Sequence, residues 1–152
     1  MGHLTETWEI HNSHNLYLVS GIDEGNLADT AVSGGRTVGE QFAHMHNVRL
    51  MWLKVALPAS LDSLNKIDKG TITKDLLLNE LKNSGAAVFK LLENAETDGK
   101  VKGFKPHATA FLGYLISHES HHRGQIMLCL KQSGHPADKK LQFGLWEWGT
   151  KK

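Results

Sequence analysis

The chain has 152 residues, a hydrophobic fraction of 40% and a formal net charge of +1. That length matches one domain with enough apolar material for a real core, so residues 1–152 are read as a single domain. The 17 basic and 16 acidic residues are mixed along the chain, which argues against the clustered basic face of a nucleic-acid binder.

Cys129 is the one cysteine, so no internal disulfide can form; a reducing, cytoplasmic setting is expected. The N-terminus lacks a basic region followed by an apolar run, and no signal peptide is read there. No apolar stretch approaches the roughly 20 residues of a membrane span. Ten histidines, dispersed along the chain, are the unusual count.

From Leu4 to Ile22 the positions Leu4, Trp8, His11, Asn15, Leu18 and Ile22 follow helical spacing. Two of the six are polar, so His11 and Asn15 face either a pocket or a hydrogen-bonded helix edge. After a connection ending in Ser33-Gly34-Gly35-Arg36, Thr37-Val38-Gly39-Glu40 fits a capping box. The helix it opens runs to about Leu57, because Pro58 disfavours helix at the preceding residue. Val38, Phe42, Met45, Trp52 and Ala56 form its apolar stripe; His44, Val48, Met51 and Val55 form an adjoining one.

Residues 58–71 carry turn chemistry and read as a loop. A third helix starts near Thr73, with Asp75 in its first turn, and stops by Asp98-Gly99. Leu77, Leu81, Ser84, Val88, Leu91 and Ala95 are its buried stripe. After a polar loop at 99–104, Pro106 is assigned to the first position of a fourth helix and Gly134 to its left-handed end. Phe111, Leu115, His118, His122, Gln125 and Cys129 share a stripe, which points the histidines into the bundle. The tail from Leu141 to Trp148 is too aromatic to hang free and is expected to pack across the helices. Four amphipathic helices and weak strand signals give an all-α, four-helix bundle.

His118 and His122, four apart on a helix, can grip one metal ion. His118 and His121 can also share a face, and that alternative stays open on spacing alone. On the second helix, His44 and His46 point to opposite sides. His44 is preferred because its stripe holds Val48, Met51 and Val55, whereas His46 sides with Arg49 and Leu53. Three imidazoles would leave coordination positions open, the pattern of a catalytic metal, with zinc or nickel favoured over magnesium. Glu40 and Glu119 are candidate acceptors for the second ring N–H of the ligands. His11, Asn15 and Gln125 complete the candidate pocket set, and loops 23–36 and 58–71 are expected to rim it. His3, His14, His107 and His135 are assigned to the surface or to helix caps, and Cys129 to the core.

Three segments carry a resemblance: Thr37-Val38-Gly39-Glu40-Gln41-Phe42-Ala43-His44, the stretch from His118 to Gln125 ending His-Arg-Gly-Gln, and Gly144-Leu145-Trp146-Glu147-Trp148-Gly149. They resemble the DinB-like family of damage-inducible bacterial proteins, in outline over nearly the whole chain. The resemblance implies an up-down-down-up bundle, usually dimeric, with one metal-binding histidine on the second helix and two on the last long one. These fall on His44, His118 and His122, which favours His122 over His121. It also implies a metal-dependent transferase that uses a low-molecular-weight thiol, such as bacillithiol or mycothiol, on small electrophiles; a related activity is thiol-dependent maleylpyruvate isomerisation. A metal-dependent hydrolase and a non-catalytic metal-binding stress protein are the alternatives. The expected partners are a small-molecule substrate and a second copy of the chain.

Overall fold

The computed structural model describes residues 1–149 and contains four long helices and one short one. Helix α1 spans His3–Ser20, α2 Val38–Ala56, α3 Lys74–Asp98, α4 Ala108–Gln132 and α5 Lys139–Gly144. Their ends follow local chemistry. At α2 the Glu40 backbone N–H donates to the Thr37 hydroxyl (3.1 Å), and the Thr37 N–H donates to the Glu40 carboxylate (2.9 Å). This is the expected capping box, and it engages one Glu40 carboxylate oxygen while the other faces Lys69 at 3.8 Å. Thr73 caps α3 by accepting from the Leu76 N–H, and Gly99 closes it at φ +72°, a conformation that glycine adopts without a side-chain clash. Pro106 does not open α4. His107 is the cap instead, its Nδ1 accepting from the Ala110 N–H, and Ala108 is the first helical residue.

Contacts between helices fix the topology. Helix α3 runs antiparallel to α1: the Leu4 N–H meets Glu96 while Asn12 meets the Leu81 carbonyl. Helix α4 runs antiparallel to α2, with Gln41 beside His122 and Trp52 against Phe111. Position numbers rise together in the α2–α3 pair, His46 with Glu80 and Arg49 with Ser84, and in the α1–α4 pair, His11 with Glu119 and Asn15 with Arg123. The bundle is therefore up-down-down-up. Because α2 and α3 are parallel, the chain between them must travel back along the bundle. It does so through short 3-10 turns at Pro58–Ser63 and Lys69–Thr71. Asn47 holds this crossover by exchanging two hydrogen bonds with the backbone of Ile67, itself buried.

The interior is not one apolar core. One cluster gathers Leu18, Val19, Phe42, Met45, Leu77, Leu81 and Ile126; another gathers Trp8, Leu53, Val88, Leu92, Phe111 and Leu115. Between them lies a polar layer. Arg49 and Glu119 are both fully buried. The Arg49 Nε donates to Glu119 Oε2 at 2.7 Å, and a terminal nitrogen donates to Oε1 at 2.7 Å, a two-pronged pair. The same guanidinium donates to the Leu81 carbonyl, the Ser84 hydroxyl and the Asn12 carboxamide, and sits 4.8 Å from the centre of a Trp8 ring. His11 Nε2 and Asn15 Nδ2 donate to Glu119 Oε1 at 3.0 and 2.9 Å. All four long helices contribute.

Several sequence expectations are corrected here. Met51 is 68% exposed and Val55 is also exposed, so the stripe that carries His44 lies at the bundle's rim; Arg49, Leu53 and His46 occupy the interior instead. His14 is buried beside the Trp148 ring rather than on the surface. In the tail, Leu141 and Gly144 bury, Gly144 lying close against the Tyr17 phenol, but Phe143 faces outward and Trp146 is 80% exposed. No helix among the described residues is long and apolar enough to cross a membrane.

A buried pair of this kind is costly to break and far cheaper to replace whole. Glu119→Leu, which strands the Arg49 charge, should lower stability by about 3–5 kcal/mol in urea denaturation. Adding Arg49→Met should recover much of that loss. If the two effects simply add, the pairing is not what couples these positions.

Candidate metal centre

His44 projects from the middle of α2, and His118 and His122 project one turn apart from the antiparallel α4. Their rings meet edge to face, with centroids 5.4 Å apart for His44–His118, 4.8 Å for His44–His122 and 4.7 Å for His118–His122. One nitrogen from each lies within 4.8 Å of the other two. Two nitrogens on one zinc ion, at about 2.0–2.1 Å each, are at most about 4.2 Å apart. Small ring rotations would therefore bring the set onto a single ion. Among the described residues this is the one group of three or more histidines, cysteines or carboxylates so converged.

The chemistry of these donors fits a metal. All three imidazoles are held below their ordinary pKa, so they are neutral at pH 7, as ligands must be. At His122 burial is the main cause, followed by His118, His44 and His121, and the pKa falls to about 4. At His44 burial leads, then the charge of Arg36; at His118 burial again leads and outweighs the opposing pull of Glu119. Gln41 accepts a hydrogen bond from His122 Nδ1 at 2.5 Å, which fixes the tautomer and leaves Nε2 as the lone-pair donor. Among the described residues the buried Nδ1 of His118 has no hydrogen-bond partner. A buried nitrogen left in that state is unfavourable, and ligation at the cluster offers one way to satisfy it.

The site sits in the groove between α2 and α4, at the rim of the bundle. His44 and His118 are partly exposed, whereas His122 is 5% exposed. The preference for His44 over His46 thus selects the residue that joins the cluster, but its reason is corrected: His46 is the deeper of the two. His46 donates from Nε2 to the Asn65 carbonyl at 2.6 Å and accepts at Nδ1 from Ser84 at 3.0 Å, tying the crossover to the polar layer. His121 is exposed and lies outside the converged set, with its ring edge to face against His122 at 5.1 Å between centroids.

The other candidate residues do not gather here. Glu119 points to the opposite side of α4 from the triad, into the polar layer. Arg49's charge and hydrogen bonds overcome the effect of burial and hold its carboxyl far below the usual carboxylate range. His11 and Asn15 are hydrogen-bonded to that carboxylate, as one of the two readings expected, but in the buried interior rather than at a helix edge. Glu40 caps α2 and pairs with Lys69, and Gln125 is exposed but lines a small cavity together with Gln41. The acceptor on the histidines is Gln41, which sequence reasoning missed. Its signal was its place three residues before His44, where side chains share a helix face. His107 caps α4, His135 pairs with Asp29 at 2.7 Å, and His3 is exposed, as assigned.

The family profile described as the DinB family matches residues 1–139. The chain belongs to the DinB family. Comparison with curated proteins and with solved structures returned no match. The family match covers all four long helices and all three clustered histidines, and it stops before the tryptophan-rich tail.

Protonation of His122 is disfavoured in the folded chain, so the unfolded chain binds more protons between the two pKa values. The metal-free protein should therefore keep this contribution above pH ~6.5 and lose it as pH falls toward 4. NMR titration of the His122 ring should give a midpoint near pH 4. An ordinary midpoint near 6.5 would mean that the cluster is open to water.

Proposed function

We propose that this DinB family protein is a divalent-metal-dependent transferase, with zinc or nickel at His44, His118 and His122. It would join a low-molecular-weight thiol to an electrophilic small molecule. The convergence of three neutral imidazoles in a groove open to solvent carries the metal reading. The thiol chemistry rests on the resemblance within the family, and one further observation supports it. The chain's own thiol, Cys129, is buried, and burial pushes its pKa up, so it is a poor nucleophile, which favours a thiol supplied from outside.

A bound divalent metal would lower the pKa of a coordinated thiol and make it a nucleophile at neutral pH. The protein's part is to hold the site. Gln41 orients His122, and the α2 and α4 backbones set the spacing of the three rings. The Arg49–Glu119 pair clamps α4 one residue from His118, which limits rotation of the helix that carries two of the donors. Partial exposure on one side of the triad admits the reactants, while burial of His122 on the other keeps water from surrounding the donors.

Metal affinity and turnover test this reading together. His118→Ala should abolish stoichiometric metal binding, and Gln41→Leu should weaken it about 10–100-fold with all three ligands kept. Metal-loaded protein should consume an electrophile such as 1-chloro-2,4-dinitrobenzene only when a thiol from a panel of bacillithiol, mycothiol, glutathione and coenzyme A is present. Hydrolysis of ester substrates without thiol would favour the hydrolase alternative. Unchanged metal content in the His118 variant would refute the ligand set.

We also propose a homodimer. The family resemblance motivates it, and exposed Phe143, Trp146, Met51 and Leu128 supply apolar surface of the kind an interface covers. Light scattering after size exclusion should give the mass of two chains; a single-chain mass at micromolar concentration would refute it.

A further inference from the structure

A cavity of about 260 Å³ lies at the C-terminal end of α4, and its walls include Gly34, Gly35, Arg36, Gln41, Leu128 and Cys129. Gln41 is shared: its side chain lines this cavity and also bonds to His122. The space therefore adjoins the histidine cluster. It is below the roughly 300–1,000 Å³ of ordinary ligand pockets, which suits a small molecule.

Its charge is one-sided. Among the described residues, no acidic one lines it. Among the described residues Arg36 makes no ion pair or side-chain hydrogen bond; its charge acts on all three imidazoles as well as on the Glu40 carboxylate. The main chain behind Arg36 is fixed. Gln132 accepts from the Val32 N–H at 2.7 Å, the Ser133 hydroxyl donates to the Thr30 carbonyl, and the Cys129 thiol lies 3.9 Å from the Arg36 carbonyl. Gly34 and Gly35, at φ +85° and +94°, turn the loop here, and a Cβ at either would meet nothing within 4 Å. The loop thus presents an unpaired guanidinium over an open space, with its root held against α4. Guanidinium matches carboxylate by shape as well as charge.

We propose that Arg36 and this cavity form a carboxylate subsite of the metal centre, taking a small ligand whose acid group lies on Arg36 and whose other end reaches the three histidines. Leu128, Ala31 and Cys129 give the ligand's short body an apolar wall. This rests on the metal reading above and narrows it: one of the two reactants carries a carboxylate a few bonds from its reacting atom.

The test uses cobalt-loaded and metal-free full-length protein. In the cobalt form, the thiolate-to-metal absorption band reports binding of 3-mercaptopropionate against 3-mercaptopropan-1-ol. Wild type should prefer the acid about tenfold, the order expected for one charge-assisted pair, and added salt should shrink the preference. Arg36→Gln should erase the preference without changing cobalt content, and Arg36→Lys should keep part of it. In the metal-free form, amide NMR shifts of residues 33–36 report butyrate against butan-1-ol. Butyrate-selective shifts lost in Arg36→Gln support a subsite open to any carboxylate reactant; their absence, with the thiol preference intact, assigns the carboxylate to the thiol. Cobalt failing to bind while the butyrate response persists would sink the metal reading and leave the subsite standing. An acid preference equal in wild type and Arg36→Gln, or absent in both forms, overturns the proposal.

Discussion

The bundle depends on a carboxylate and a guanidinium buried together in the middle of four helices. Glu119 and Arg49 are fully removed from solvent, and desolvating either alone is unfavourable by several kcal/mol. The structure offsets that cost by satisfying almost every donor and acceptor on the pair. Ser84 and the Leu81 carbonyl come from α3, Asn12, His11 and Asn15 from α1. The result is a layer that can be assembled in one register only. Sliding α4 by one turn would put Leu115 or Arg123 opposite Arg49 and leave the charge without a counterion. The apolar clusters on either side supply most of the burial energy, but they would tolerate such a slip better than the polar layer does.

That constraint reaches the histidines through α4. Glu119 sits between His118 and His122 in sequence and on the other side of the helix. The same segment therefore carries an inward face that locks its rotation and an outward face that holds two of three clustered rings. Gln41 does for α2 what Glu119 does for α4, at smaller scale, by joining the first turns of α2 to His122. Placing the cluster at the rim gives access to solvent, while the locked core behind it keeps the donors from drifting apart.

Much of the fold could be read from the sequence because helix ends are written locally. Thr37 with Glu40, Thr73 before its helix, and Gly99 and Gly134 each act within four residues of themselves. The buried stripe of α3 was legible for the same reason, since it is apolar apart from Ser84. What the sequence concealed was the polar layer. A search for apolar periodicity discounts Arg49 and His46 as surface residues, although they lie on the inner face of α2, and it promotes Met51 and Val55, which lie outside. The pair HxxxH on α4 was readable by spacing, but its orientation was not. The stripe of Phe111 and Leu115 suggested a core-facing pair, which holds for the buried His122 but not for the partly exposed His118. Gln41 escaped notice because only a long-range contact, 81 positions apart, gives it a role.

The up-down-down-up path also orders events in time. Glu119 is 108 positions from His11 and 70 from Arg49, so the carboxylate that α1 and α2 share arrives only with the last long helix. A chain emerging from synthesis N-terminus first would hold Arg49 without its counterion, and His44 without its two neighbours, until α4 is released. Closure of the bundle and creation of the triad are then one event. A chain made only through α3 lacks two of the three clustered histidines, so the candidate metal centre forms together with the closed bundle.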